Sequence, residues 1–179
     1  MPHRSRLIAL LAALAWTQEP PLILAPPADA AFPAGPVRLI ARAAMRLDGK
    51  AVEAVSPAEG VFTAEVKLET GVHQVTSGAE KVRFFVGPAA PAEFKAFRPH
   101  TPVTNCLTCH AVKNGAWAFQ KASLVSLCSQ CHDKEKFPTN HTHVMGILAD
   151  CQMCHNPHGS TTAGHLRMAK EAACKLCHN

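Results

Sequence analysis

The cysteines and many of the histidines in the C-terminal part of the chain repeat one five-residue pattern, C-x-x-C-H, four times. Two thiols three residues apart can reach both vinyl groups of one porphyrin, and the next residue can offer its imidazole to the iron. The pattern uses all eight cysteines of the protein. It predicts four covalently attached haem c groups. The predicted binding residues are Cys106, Cys109, His110, Cys128, Cys131, His132, Cys151, Cys154, His155, Cys174, Cys177 and His178.

Other uses of paired cysteines explain this pattern less well. A zinc ribbon also contains C-x-x-C pairs, but zinc does not require a histidine directly after each pair. A thioredoxin-like site needs a single pair within a βαβ unit. A disulfide framework gives no reason for the histidines. Haem attachment accounts both for every cysteine and for the residue that follows each pair.

A haem iron that is six-coordinate needs a second axial ligand besides the histidine of its motif. The C-terminal segment contains five histidines outside the motifs, which is close to the number that four irons require. Met145 and Met168 are further candidates, and either would raise the potential of its haem. The predicted iron ligands outside the motifs are His100, His141, His143, His158 and His165.

The first 30 residues are organised like a secretory leader. Arg4 and Arg6 precede a short apolar stretch, Leu7 to Trp16, and Ala28-Asp29-Ala30 is typical of a cleavage site before Ala31. An uncleaved anchor is the alternative, but polar and proline residues interrupt the apolar run before it is long enough to span a bilayer. We expect residues 1–30 to be a signal peptide and the mature chain to have no transmembrane segment. The predicted location is periplasmic, with an extracellular or outer-membrane-associated protein as the alternative.

The charge of the chain is moderately basic, with 18 lysine and arginine residues against 13 acidic residues and a net charge of +5. Each ferric haem with two histidine ligands and two propionates carries a charge of roughly −1. Four haems would therefore bring the protein close to neutral. We expect the basic residues to pair with propionates, and we expect no nucleic-acid partner.

The segment between the leader and the first motif contains no cysteine and has the pattern of β-strands. Apolar and polar residues alternate from Val61 to Leu68, and Asp48-Gly49-Lys50 is typical of a tight turn. These features predict a small antiparallel β-sandwich at residues 31–87, which resembles bacterial immunoglobulin-like modules. His73 is expected to be a solvent-exposed strand residue. The predicted strands are Val37–Leu47, Ala51–Val55, Val61–Leu68, Val72–Thr76 and Lys81–Val86.

Prolines punctuate residues 88–99, which are predicted to form a semi-rigid linker. Residues 100–179 are too few to build an ordinary core around four haems, so the porphyrins themselves would form the core. Short helices are predicted at Trp117–Gln130 and Leu166–Leu176. The predicted fold class is therefore mixed, with a small antiparallel β-sandwich-like N-terminal domain and a haem-cored C-terminal domain with short helices and little regular structure.

Residues 100–178 resemble the doubled C-x-x-C-H module of the multihaem cytochromes c. The sequence from Cys151 to Ser160 reads C-Q-M-C-H-N-P-H-G-S, close to the family's C-x-x-C-H-x-P-H-G-S, and His100 and His158 match the module best among the further histidines. The resemblance implies low-potential haems with two histidine ligands, packed in a chain for electron transfer. The first unit departs from the pattern, because it has Lys113 where the second has His158 and lacks the Pro-His-Gly sequence.

The sequence leaves three function classes open. They are an electron-transfer protein, a haem oxidoreductase such as a small-oxyanion reductase with one open haem, and a subunit of a stacked extracellular cytochrome assembly. The histidines suffice to saturate every iron, which favours an electron carrier without catalytic residues. The expected partners are redox proteins, including a membrane or outer-membrane cytochrome complex, and further copies of the same chain.

Overall fold

The structure is a computed structural model that describes residues 21–100, 105–136, 143, 146 and 149–178. These residues divide into an N-terminal part built of β-strands and a C-terminal part with short helices and little regular structure. The predicted fold class is confirmed in this respect. We call residues 21–98 the β region and residues 105–178 the motif region.

Ten strands of the β region form two sheets. In the first sheet the strand order is β1-β3-β7-β6, and all neighbours are antiparallel. In the second sheet the order is β10-β2-β9-β8-β4-β5, with β10, β2 and β9 parallel and the remaining neighbours antiparallel. The strands are β1 (Ile23–Ala25), β2 (Ala30–Phe32), β3 (Pro36–Ala41), β4 (Met45–Leu47), β5 (Lys50–Ala51), β6 (Val55–Ala58), β7 (Val61–Lys67), β8 (Gly71–Ser77), β9 (Glu80–Val86) and β10 (Lys95–Ala96).

The hydrophobic core of the β region contains side chains from both sheets. Val37, Leu39 and Ala41 alternate with outward-facing residues along β3, as the period of a strand requires. They pack in one cluster with Val75 and Phe84 of the second sheet, which are fully buried. Burying one large apolar side chain contributes about 1.5–3 kcal/mol. This cluster therefore holds the two sheets together.

Two of the predicted strands are each divided in the structure. The strand predicted at Val37–Leu47 is split into β3 and β4, which belong to different sheets. The strand predicted at Ala51–Val55 is likewise split into β5 and β6. The predicted turn at Asp48-Gly49-Lys50 is confirmed, because Asp48 (φ 49°) and Gly49 (φ 80°) connect β4 to β5 as a two-residue turn with both φ angles positive.

The β region begins earlier than the predicted signal-peptide boundary at residue 30. Strand β1 and the first residue of β2 precede Ala31, and Ile23, Ala25 and Ala30 are buried. The backbone N–H groups of Leu22 and Ile23 donate to the Glu80 carboxylate at 2.6 and 3.1 Å. Cleavage before Ala31 would remove these contacts and expose part of the core. The folded part thus differs from the predicted mature chain by about one strand; residues 1–20 lie outside the described part.

The predicted linker at residues 88–99 also joins the β region. Its residues Lys95–Ala96 form β10, which pairs with β2. Phe94 is buried, and the Phe97 ring lies 4.6 Å from the ring of Phe32 in the core. The prolines in this segment do not prevent folding, because the two aromatic side chains bury large apolar surfaces.

The motif region has few regular elements. Strands β11 (His110–Lys113) and β12 (Ala116–Phe119) form a hairpin, and the helices are α1 (Leu124–Cys128) and α2 (Lys170–Cys174). The helix predicted at Trp117–Gln130 is wrong over its first part, because these residues pair with β11 across the Asn114-Gly115 turn. Helix α1 begins only after Ser123, whose hydroxyl accepts from the backbone N–H of Ser126. Helix α2 lies inside the predicted range Leu166–Leu176.

The motif region buries almost no apolar side chain of its own. Among its described residues, Leu127 is the one buried hydrophobic residue, whereas Leu107, Val112, Met153 and Leu176 are exposed. A segment of this length without a core is not stable as protein alone. None of the helices in the described part of the chain is long and apolar enough to cross a membrane.

Candidate functional site

Each C-x-x-C-H motif forms a helical turn. Cys106–Thr108 and Cys151–Met153 are single 3₁₀ turns, capped by the side chains of Asn105 and Asp150. The second and fourth motifs begin at the last residues of α1 and α2. In a helical turn, residues one, four and five of the motif lie on the same face. This geometry explains why two thiols and one imidazole with this spacing can meet the same ligand.

Backbone hydrogen bonds hold the motif histidines in these turns. The N–H groups of His132, His155 and His178 donate to the carbonyl of the first cysteine of their own motif, at 2.9, 3.0 and 3.0 Å. In the first motif, Cys109 N–H donates to Cys106 at 3.2 Å, and His110 continues into β11. The same local turn thus recurs, although the flanking elements differ.

The cysteines are free thiols, and three of the motifs lie side by side. Cys128 is within hydrogen-bond reach of Cys151, so the second motif touches the third. Burial raises the pKa of the Cys128 thiol to about 11, with a smaller contribution from Cys151. Burial also raises the pKa of Cys109, and the nearby Cys131 thiol adds to this effect. No two of the eight cysteines are bonded to each other.

Three motif histidines each face a histidine from outside the motifs. The rings of His110 and His158 have centroids 6.4 Å apart and planes within 7° of parallel. The rings of His132 and His100 are 5.8 Å apart at 6°. The rings of His178 and His143 are 5.9 Å apart at 27°. Each pair joins one motif histidine to one of the predicted further ligands.

The centroid separation of the first pair is close to that of two imidazoles bound to one metal ion, and the separations of the other two pairs are slightly shorter. A histidine nitrogen binds a first-row metal at about 2.0–2.1 Å, and the ring centre lies about 1.1 Å behind that nitrogen. Two axial imidazoles therefore have centroids about 6.3 Å apart. Among the described residues, no three histidine, cysteine or acidic side chains converge on one metal site. A macrocycle that supplies its own four nitrogens needs only the two protein ligands that each pair provides.

The histidines of the first pair are held in the neutral form that binds metals. Burial, together with smaller effects of the nearby His110, Arg167 and His100, lowers the pKa of His158 to about 4. Burial also lowers the pKa of His110. A neutral imidazole keeps a lone pair for a metal, whereas a protonated one does not.

A tight loop, Asn156–Ser160, presents His158; we call it the His158 loop. The Asn156 side chain accepts from the backbone N–H of His158 at 3.0 Å, and Asn156 O accepts from Gly159 N–H at 3.2 Å. Asn156 N–H donates to the His165 carbonyl at 2.8 Å. Ser160 is buried, and its hydroxyl donates to the carbonyl of Leu166 at 2.5 Å. The loop is therefore rigidly defined by its own hydrogen bonds.

The third motif histidine is oriented by the backbone. His155 Nδ1 lies 2.7 Å from the Gly164 carbonyl oxygen, so this nitrogen donates to it. A hydrogen bond of this kind fixes the tautomer and the ring orientation of a metal-binding histidine. His141, one of the predicted ligands, lies outside the described residues.

The remaining candidate iron ligands are not part of the three histidine pairs. The His165 ring is 5.4 Å from His100 at an angle of 70°, so it lies beside a paired histidine. Met145 is outside the described residues, Met168 is partly buried, and Lys113 is exposed on β11. His73 lies on β8 as predicted, but its side chain is only 13% exposed, because it contacts Asp48.

Space for a bulky group lies beside the first motif. A cavity of about 480 Å³ separates Cys106 from the outer face of the first sheet, and Val55 and Thr63 line its other side. Val55 is 70% exposed, which is unusual for a β-branched apolar side chain. The lining also includes the charged residues Arg38, Glu53 and Glu65, so this space is not purely apolar.

The residues that hold the His158 loop were not found from the sequence. Phe97 and Arg98 contact the loop at Gly159 and Ser160, although they were assigned to the linker. Two aromatic residues within a proline-rich segment were the available signal, since a solvated linker has little need of them.

The comparison with protein families matches residues 143–179 to the family described as Doubled CXXCH motif. The match includes the third and fourth motifs, and it identifies this part of the chain as a haem-binding region like that of c-type cytochromes. The motifs thus indicate covalently bound c-type haem, and a protein with several such groups is consistent with electron transfer. Neither the comparison with curated proteins nor that with solved structures found a similar protein.

Proposed function

We propose that this protein is an exported tetrahaem c-type cytochrome that carries electrons between redox partner proteins. The observation that carries the proposal is the set of three histidine pairs, each of which places a motif imidazole opposite a second imidazole. The family match over the last two motifs supports it independently.

In this proposal each haem is bound by the two cysteines of one motif and by two histidines. The axial pairs are His110 with His158, His132 with His100, and His178 with His143. We propose His141 as the partner of His155, because His165 lies beside His100 and its carbonyl caps the His158 loop. When bound, the haems supply the iron centres that accept and release electrons.

The protein residues determine what those centres can do. Two imidazoles on an iron would leave no coordination position for a substrate, which would favour electron transfer over catalysis. The thiol contacts between the motifs containing Cys109, Cys128 and Cys151 place three attachment sites side by side. Groups attached there lie close together, so electrons can pass along the chain of sites.

The fourth site is the most open to a partner. Cys174 and Cys177 are exposed, and Leu176 between them is 58% exposed. A haem attached there would keep one edge accessible. We propose this edge as the place where electrons enter or leave, with a periplasmic redox protein or a membrane-associated cytochrome complex as the partner.

Export is proposed from the leader-like sequence between Arg4 and Trp16. The structure describes strands from Ile23 onward as part of the β region. We therefore propose that processing occurs before Leu22, and that the mature protein is periplasmic.

Haem content and turnover test this function together. The protein, coexpressed with a haem-attachment system, should have an intact mass greater than its processed chain by four haems. A Cys174→Ser and Cys177→Ser double variant is the matched control and should lack one haem. The purified protein should not reduce nitrite or hydroxylamine at rates typical of enzymes, which are on the order of 10 per second. Fewer than four haems, or turnover at such rates, would contradict the proposal.

A further inference from the structure

The end of the β region runs alongside the His158 loop and contacts it at three successive points. Arg98 and Ser160 exchange two backbone hydrogen bonds, at 2.8 and 3.1 Å. The Phe97 ring lies directly against Gly159. The His100 ring hydrogen-bonds to the backbone of Pro157. These contacts join the two parts of the chain next to two of the proposed iron ligands.

Phe97 is anchored firmly in the β region. Its ring is 4.6 Å from that of Phe32, which in turn meets the fully buried Phe84 edge-on at 5.8 Å. Its backbone N–H donates to the Ala31 carbonyl at 2.8 Å. The ring position is therefore set by the hydrophobic core and by strand β2, and does not depend on the motif region.

Gly159 shows how closely the loop approaches this ring. A Cβ atom at Gly159 would lie 2.3 Å from Cζ of Phe97 and 2.9 Å from the Arg98 carbonyl oxygen. The φ angle of Gly159 is +111°, a conformation that other residues rarely adopt. The loop can thus lie against Phe97 only because residue 159 has no side chain.

The same segment controls a second ligand. His100 follows Arg98 by two residues, and its ring faces His132 while its hydrogen bond reaches the loop at Pro157. Displacement of the segment would therefore move both His100 and His158. A contact that only joined two domains would not be linked in this way to the ligands of two different haem sites.

We propose that Phe97 is a positioning residue through which the β region keeps His158 opposite His110 and His100 opposite His132. This inference rests on the proposed haem ligation, and it concerns a residue that is not itself a proposed ligand. It assigns the β region a role in haem ligation.

Carbon monoxide binding to the dithionite-reduced full-length holoprotein tests the proposal, because carbon monoxide binds readily only where an axial histidine is displaced. Phe97→Ala should bind it at one or two haems of the four, while intact mass still shows four haems. Phe97→Leu, which retains an apolar contact, should resemble the wild type. Val75→Ala is the matched control, because Val75 is fully buried in the same core but is not among the contacts that hold the loop; it should lower the melting temperature without carbon monoxide binding.

Gly159→Ala disturbs the same contact by changing the His158 loop, and it replaces no core residue of the β region. It should bind carbon monoxide at about one haem in four. The proposal is overturned if both Phe97→Ala and Gly159→Ala behave like the wild type, or if Val75→Ala binds carbon monoxide equally. Carbon monoxide binding by the wild type itself, or a mass below four haems, would instead contradict the proposed function. The two failures are therefore distinguishable.

Discussion

The imidazole rings of His110 and His158 lie 6.4 Å apart and within 7° of parallel, although they belong to different halves of the motif region. His158 directly follows the third motif, yet it faces the histidine of the first. This pair joins the two halves of the region, whereas His178 and His143 both belong to the second half. A site built on His110 and His158 would therefore depend on the folding of the whole segment.

The first prediction concerns His158. His158→Ala should leave one iron with a single strong axial ligand, since His158 is the imidazole that faces His110. That iron should become high-spin or bind water, and its reduction potential should rise. Visible and paramagnetic resonance spectra would show the change. Lys113→Ala is the control and should leave the spectra unaltered, because Lys113 is exposed on β11. A His158→Ala spectrum identical to that of the wild type would exclude His158 as a ligand.

The second prediction separates the two candidates for the site of His155. His141→Ala should produce one high-spin iron. The His165→Ala variant should remain low-spin at all four irons. Its backbone carbonyl still accepts from Asn156 N–H, and the lost His165 ring lies beside His100. Spectra of the two variants, recorded at equal haem content, would decide between them. The reverse result would assign His165 to the iron and remove His141 from the ligand set.

The third prediction concerns the pH dependence of the β region. Burial alone works to lower the pKa of His73, but hydrogen bonds to the Asp48 carboxylate and the Glu69 carbonyl outweigh it, and the pKa is raised. Burial works to raise the pKa of Asp48, yet hydrogen bonds from His73 and Gln74 lower it overall. The stability that His73 contributes is fully present below its ordinary pKa of 6.5, and it is lost as pH rises through the raised pKa of the folded protein. The stability that Asp48 contributes is fully present above its ordinary pKa of 3.8, and it is lost as pH falls through the lowered pKa of the folded protein.

The pair should therefore stabilise the β region most between these two values. Asp48→Asn keeps an oxygen for the Gln74 N–H but removes the charge, and should cost about 0.5–1 kcal/mol at pH 5.5, since the pair is partly exposed and screened. Denaturant unfolding monitored by the strand signal would measure the difference. The loss of stability caused by Asp48→Asn should be smaller at pH 8.5. A cost that is equal at both pH values would show that the ion pair is not its source.

The fourth prediction concerns the N-terminus. Because Leu22 and Ile23 bind the Glu80 carboxylate and Ala30 is fully buried, the mature chain should begin before Leu22. Intact mass and N-terminal sequencing of the exported protein would establish this. A chain truncated to begin at Ala31 should melt at a lower temperature. Recovery of a stable mature protein that begins at Ala31 would show that β1 is dispensable.

Local sequence patterns anticipated the features that depend on neighbouring residues. The Asp48-Gly49-Lys50 sequence predicted the turn between β4 and β5, and the alternation from Val61 to Leu68 predicted a strand where β7 lies. Features that depend on distant residues were not predicted. Ile23 to Ala25 resemble the end of an apolar leader, and they form a strand only because β3 is available as a partner.

The sequence likewise did not predict which histidine faces which motif histidine. The count of histidines showed that enough were present, but not which motif each would face. We propose that the contact between Phe97 and Gly159 keeps His158 opposite His110, and this contact brings together segments that share no recognisable pattern. The helix expected at Trp117 failed for a similar reason, since the Asn114-Gly115 turn pairs it with β11.

The central claim is that every iron is held by a motif histidine and a second histidine. Low-temperature electron paramagnetic resonance of the fully oxidised holoprotein tests it most directly, because six-coordinate low-spin iron and open high-spin iron give separate signals. The structure predicts four low-spin irons, with the rhombic signals expected of near-parallel imidazole planes for His110–His158 and His132–His100. A high-spin signal equivalent to one iron or more in the wild-type protein would contradict this account.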